Sequence, residues 1–211
     1  MTDSDLIYDG PATAPVAIIL AHGAGKGMDS PFMQYFAESL AASNVRVIRF
    51  EFPYMNRARQ RGKRLPPDRM PVLLDAYKDV IQRVRKDLPD HVSVVIGGKS
   101  MGGRVASMVL EESCASGVVC LGYPFHPPGK PEKLRVEHLY QIKKKVLFVQ
   151  GERDTFGKRE EVAQYNLPSH FQLAWMTDGD HGFKPRKASG RSEQENWDAA
   201  VSTIQQFLST I

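Results

Sequence analysis

The chain has only two cysteines among its 211 residues, Cys114 and Cys120, which excludes a disulfide framework. Both adjoin or lie within apolar stretches and read as buried reduced thiols of a cytoplasmic protein. No apolar run approaches the roughly 20 residues that span a bilayer, so no membrane partner is expected. The opening Met1-Thr2-Asp3-Ser4-Asp5 lacks the basic stretch and apolar core of a secretory signal. Charge of one sign is also scarce: 28 Lys and Arg against 24 Asp and Glu give a net +4. Without aromatic interleaving or a recognisable motif, that mild excess does not point to nucleic acid. His22, His126, Asp154 and His181 show neither an H-x-x-x-H nor a paired-carboxylate spacing, so neither a metal nor any other cofactor is expected. Repeats and low-complexity tracts are missing, and the chain carries no readable signal of oligomeric state.

What is present is an ordinary globular balance, 42% hydrophobic and 25% charged, over a length that suits a single domain, residues 1–211. Short apolar runs alternate with longer amphipathic segments. Val16–Leu20, Val45–Phe50, Val92–Ile96, Val118–Leu121, Val146–Gln150 and Phe171–Met176 read as strands. Between them, helices are expected from Pro31 to about Ala42, from Pro71 onward, from Met101 to Glu112 and from Gln194 to Leu208. Pro suits a first helical turn, and Leu73, Tyr77, Val80, Ile81 and Val84 share one helical face. Trp197 falls on the apolar stripe of the last helix and reads as core packing. The fold class that follows is α/β: a mostly parallel sheet of about six strands with helices on both faces. Ligand sites of such sheets lie at the carboxyl ends of the strands. Asn56 to Arg69 reads as a basic loop holding Arg57, Arg59, Arg61, Lys63, Arg64 and Arg69. It is either a solvated surface or an electropositive rim for an anionic substrate.

Gly98-Lys99-Ser100-Met101-Gly102 matches G-x-S-x-G directly after an apolar strand and directly before a helix. That setting is a nucleophile elbow, in which a sharp turn exposes the serine hydroxyl. Two decoys fail. A phosphate-binding P-loop ending at Ser100 needs glycine where Ser93 stands, and a dinucleotide fingerprint beginning at Gly23 needs glycine where Met28 stands.

A serine nucleophile needs a base and an acid, which follow it in the order Ser, acid, His in α/β-hydrolases. His91 and His170 precede strands, and His138 lies in a helical segment away from a strand end. His181 occupies the loop Asp178-Gly179-Asp180-His181-Gly182 after the last strand and alone lies beyond a suitable acid. The acid should follow Val146–Gln150; Asp154 has the spacing, and Glu152 is the fallback. Asp178 and Asp180 read as loop-shaping residues. Oxyanion donors are expected from the backbone N–H groups of Met101 and Ala24. His22 reads first as a residue orienting the Ala24 loop, and His126 as either a pocket residue or a structural one; both are candidate pocket residues.

Ala21-His22-Gly23-Ala24-Gly25, Gly97 to Arg104 and Tyr123-Pro124-Phe125-His126-Pro127-Pro128-Gly129 resemble the α/β-hydrolase superfamily, above all its small, lidless dienelactone-hydrolase-like branch. Within that branch they are similar to bacterial hydrolases related to the α/β-hydrolase-like domain of animal testis-expressed and chromatin-complex proteins. The resemblance implies Ser100, Asp154 and His181 as a triad, with Ala24 and Met101 as oxyanion donors. The interval from Gly122 to Lys145 is too short for a helical cap, so no lid is expected. The antiparallel N-terminal strands of larger relatives are also expected to be missing. The function expected is a serine esterase acting on a small-molecule acyl substrate through an acyl-enzyme. The alternatives are a thioesterase or a peptidase/amidase on the same triad, or a non-catalytic hydrolase-fold binding protein.

Overall fold

The computed structural model describes residues 6–211; the polar opening at residues 1–5 lies outside them. Its centre is a seven-stranded sheet in the order β1-β3-β2-β4-β5-β6-β7. β2 (Val16–Ala21), β3 (Val45–Phe50), β4 (Ser93–Lys99), β5 (Gly117–Leu121), β6 (Lys145–Gly151) and β7 (Gln172–Met176) run parallel. These are the six strands legible in the sequence.

The seventh is a correction. β1 (Leu6–Asp9) pairs antiparallel with β3, so one antiparallel N-terminal strand is present after all. Its four residues are too few to show a period, and pairing rather than propensity holds it. Leu6 is buried against the core, while the Asp9 carboxylate takes two hydrogen bonds from Arg49 of β3 at 3.0 and 3.1 Å.

Alternation along the strands builds two cores. In β2, Ala17, Ile19 and Ala21 face one helical layer, whereas Ile18 and Leu20 face the other. On the first face lie α3 (Met70–Asp87) and α4 (Met101–Val109); on the second lie α1 (Pro31–Ala41) and α6 (Glu193–Leu208). Proline in the first turn starts α1 and α3. In α3, Leu73, Ala76, Tyr77, Val80, Ile81 and Val84 repeat at three- and four-residue spacing and are all buried. Each Leu, Val or Ile among them contributes roughly 1.5–3 kcal/mol on burial. Pro89 forces Leu88 into an extended conformation (ψ 142°) and ends the helix.

Two further expectations change. The first five residues of the supposed basic loop are helical: they belong to α2 (Pro53–Gln60), which buries Tyr54 and Ala58, and its arginine-rich outer face hid that short apolar side. Cys120 is buried, but Cys114 is exposed, because α4 stops at Val109 and Cys114 falls in the turn that follows. α5 (Arg159–Val162) is a single turn after β6. Between β5 and β6 the chain runs through loops and a short 3-10 turn (Glu137–Gln141), and no lid domain stands among the described residues.

The chain leaves β2 for β3 on one side and enters β4 on the other. The strand order therefore reverses at β2 and β4, and the loops beyond their carboxyl ends diverge to leave a crevice. His22 follows β2 and Ser100 follows β4.

Candidate active site

Ser100 adopts φ 53° and ψ −115°, a conformation that costs an L-residue on the order of 1–3 kcal/mol. Two contacts hold it there: its N–H donates to Leu121 O at 2.8 Å, and its carbonyl accepts from Arg104 N–H at 3.0 Å. The flanking glycines are required by space. A Cβ on Gly98 or on Gly102 would collide with the carbonyl oxygen of Ala21 at the end of β2. Tyr77 fixes β4 just before the turn: its hydroxyl accepts the Gly97 N–H at 2.9 Å and lies within reach of the Ile19 and Gly97 carbonyls.

Ser100 Oγ lies 2.9 Å from His181 Nε2, and His181 Nδ1 lies 2.8 Å from Asp154 Oδ2. With a carboxylate on Nδ1, that nitrogen carries the proton and Nε2 is free to accept from the serine. Asp154 is fully buried, yet both its oxygens are served: Oδ2 also takes Gln150 Nε2–H at 3.0 Å, and Oδ1 takes the Phe156 N–H at 2.9 Å. Burial of a charge is tolerable only with such partners. Gln150, near the end of β6, also bonds both backbone groups of Tyr123, so Asp154 is tied to β6 and to the loop that follows β5. Desolvation holds the His181 imidazole below its usual range; Asp154 opposes that shift and the nearby Lys99 charge reinforces it.

The loop carrying His181 is gripped from α6. Buried Asn196 donates to Thr177 O at 2.9 Å and Phe183 O at 2.7 Å, and Trp197 Nε1–H donates to Gly182 O at 2.9 Å. Asp178 accepts from Arg186, while Asp180 accepts the Gly182 and Lys184 amides; both shape the loop, as their residue type implied. Glu152, the fallback acid, is occupied by the Asp178 N–H at 2.9 Å and Arg159 at 2.8 Å and does not meet His181.

The loop after β2 is held from α2. Phe52 N–H donates to His22 Nε2 at 3.1 Å while His22 Nδ1–H donates to Gly23 O at 2.7 Å; the Tyr54 hydroxyl donates to Ala24 O at 3.1 Å. Buried Glu51 accepts the Met28 N–H at 3.2 Å and Arg59 Nε–H at 2.7 Å. Ala24 is left at the mouth of the cleft, and Met101 opens α4, where its amide has no acceptor within the helix.

A cleft of about 620 Å³ opens over Ser100 and His181, with Phe32, Met33, Phe156 and Trp197 as its apolar walls. Trp197 is thus a wall of the site as well as a packing residue. Phe156 lies against the His181 ring at 4.4 Å between centroids. The candidate pocket histidines are corrected: neither His22 nor His126 lines this cleft. His22 is sealed beneath the loop it orients, and desolvation depresses its basicity. His126 is buried with Nδ1 on Pro127 O at 2.9 Å and Nε2 3.5 Å from Glu161. A second serine–histidine contact, Ser107 to His138 at 2.8 Å, lies toward the far end of α4. There the Ser107 hydroxyl bonds back to Arg104 O, and neither residue lines the cleft.

The chain matches the model of the family described as "Alpha/beta hydrolase domain" over residues 14–209. Among solved structures it is similar to an alpha-beta serine hydrolase homologue from Coxiella burnetii, at 18% identity and TM-score 0.73 over 94% of this chain and 90% of that one. A lidless serine hydrolase from Xanthomonas campestris matches at 19% identity and TM-score 0.73, over 96% and 88%. The dienelactone hydrolase of Anabaena variabilis matches at 21% identity and TM-score 0.67, over 93% and 88%. The architecture is that of a lidless, dienelactone-hydrolase-like fold.

Proposed function

The chain belongs to the alpha/beta-hydrolase domain family, and from that premise we propose that it is a serine esterase acting through Ser100, His181 and Asp154. The observation that carries the reading is the relay of 2.9 and 2.8 Å bonds from the Ser100 hydroxyl through His181 to a buried, fully served carboxylate. The Ser100 oxygen attacks the acyl carbonyl while His181 Nε2 takes its proton. The oxyanion is received by the Met101 and Ala24 amides. His181 then returns the proton to the leaving alcohol, and the acyl-enzyme remains. Water, deprotonated by His181, attacks that ester and releases the acid and free Ser100. Asp154 holds the tautomer and stabilises the imidazolium.

The apolar walls of the cleft favour a small acyl substrate. No helix among the described residues is long and apolar enough to cross a membrane, and the two unpaired cysteines favour a reducing, cytoplasmic setting.

The test is a fluorophosphonate probe read by intact mass. One adduct is expected on the wild-type protein and none on Ser100→Ala; a folded wild-type protein that takes no adduct overturns the proposal.

A further inference from the structure

A second hollow of about 540 Å³ adjoins the cleft and shares with it Ala24, Gly25, Lys26, Ser30 and Pro31. Its floor is apolar, from Met55, Ala58 and Leu65, and its rim is cationic, from Lys26, Lys63 and Arg64. The guanidinium of Arg64 reaches the oxyanion loop, since a Cβ on Gly25 would stand 3.8 Å from its Nη2.

The charges are unequally committed. Arg59, also at this rim, is spent on Asp29 at 2.6 Å and on Glu51. Arg59 offsets one of these two carboxylates, and with Lys26, Lys63 and Arg64 counted the hollow keeps an excess of two positive charges, four cations against two carboxylates. Farther along α2 and its loop, Arg57 is paired with Asp68. Lys26, Lys63 and Arg64 meet no acidic partner among the described residues. Glu193 stands in the main cleft but not in the hollow, so the combined groove has an acidic residue on one side and a net cationic rim on the other. Cations above a low-dielectric floor focus an attractive field, and an arginine fork fits a carboxylate or phosphate edge.

We propose that this hollow is an anion subsite, so that the preferred substrate joins an apolar arm in the main cleft to a carboxylate or phosphate over Lys26, Lys63 and Arg64. The inference rests on the esterase reading and narrows it to anionic esters. The basic stretch thereby divides its labour: Arg57 and Arg59 brace the loop, and Lys63 and Arg64 face the ligand.

Two matched sets of esters test this. One is a series of 4-nitrophenyl half-esters of linear dicarboxylic acids beside their methyl-capped neutral counterparts, which places the charge on the acyl arm. The other is 3-carboxyphenyl hexanoate beside its methyl-capped counterpart, which places it on the alcohol arm. In at least one set, kcat/KM of the wild-type protein should favour the anion by about fivefold or more at low ionic strength, and the ratio should shrink in high salt. The ratio should fall to near one in Lys63→Ala/Arg64→Ala and invert in Lys63→Glu/Arg64→Glu. It should persist in Lys130→Gln/Lys133→Gln, which removes the same charge elsewhere. No preference in either set, or a preference surviving Lys63→Glu/Arg64→Glu, overturns the subsite while leaving the esterase reading intact. If no ester of either set is turned over, calorimetric binding of the same pairs to Ser100→Ala reads the subsite alone. Tighter binding of the anion that depends on Lys63 and Arg64 supports it, and equal binding overturns it.

Discussion

The ammonium of Lys99 donates a hydrogen bond to the backbone carbonyl of His181, so the residue just before the serine holds the loop that brings the histidine. It sits among aromatic faces, 5.3 Å from the Phe32 ring centre and 5.6 Å from that of Phe183. Desolvation lowers it to about 8, against the pull of Asp154 and Asp180. A cation placed there also presses the His181 imidazole toward its neutral form, the form a base requires.

Replacing Lys99 with methionine should therefore move the acid limb of the pH–kcat/KM profile. On the esterase proposal, that limb reports His181 as the base of the free protein. Desolvation holds it below its ordinary value of 6.5, and Lys99 lowers it further. Lys99→Met removes one lowering influence, so the limb should move to higher pH. A rate loss with an unmoved limb would reduce Lys99 to a brace.

The same substitution should leave a signature in stability. Between about 8 and the ordinary 10.5, the unfolded chain holds a proton on Lys99 that the native protein has released. Stability consequently rises with pH across that window, whereas below about 8 the penalty for burying the charge is fully present. Urea titrations at several pH values should show the wild-type protein gaining on Lys99→Met from pH 8 to 10.5. A constant difference would place the ammonium in water.

Much of this arrangement is legible in the sequence, and the rest is hidden for identifiable reasons. Six strands announce themselves because each is a largely β-branched or apolar run, including the part-exposed edge strand β7. Ser100, Asp154 and His181 follow from strand ends and chain order. β1 and α2 escape because short elements stabilised by partners carry little period of their own. The grip on the His181 loop also escapes: Asn196 sits in the first turn of α6 among polar neighbours, and only the fold points it at Thr177 and Phe183. One missed signal was available. Ser192 and Glu195 form a capping box, which places the start of α6 at Glu193 rather than Gln194.

Asp154 and Glu152 lie two residues apart but serve different partners, and substitution should separate them. Asp154→Asn removes the acceptor that fixes the His181 tautomer and should lower kcat by about 10⁴-fold with folding retained. Glu152→Gln gives up the ion pair with Arg159 while its remaining oxygen can keep the Asp178 amide, so activity should stay within about threefold, in line with the small energies of exposed ion pairs. Steady-state kinetics with circular dichroism decides; a large loss confined to Glu152→Gln would transfer the acid role.

Asn196 offers the last test, because it acts on the histidine only through the backbone. Its amide serves Thr177 O and Phe183 O, and its carbonyl accepts Arg191 Nε–H at 2.6 Å. Asn196→Leu keeps the branched skeleton, with somewhat more bulk, and leaves these three groups unserved, at roughly 1–3 kcal/mol for each that stays buried. Trp197 still holds Gly182 O, so the loop should loosen without detaching. The expected result is a loss of about 2–4 kcal/mol in urea unfolding, together with a fall in kcat larger than any change in KM, since His181 is displaced and the apolar walls are not. A variant that loses stability but keeps kcat would mean that the Ser100 and Asp154 contacts alone suffice to place His181.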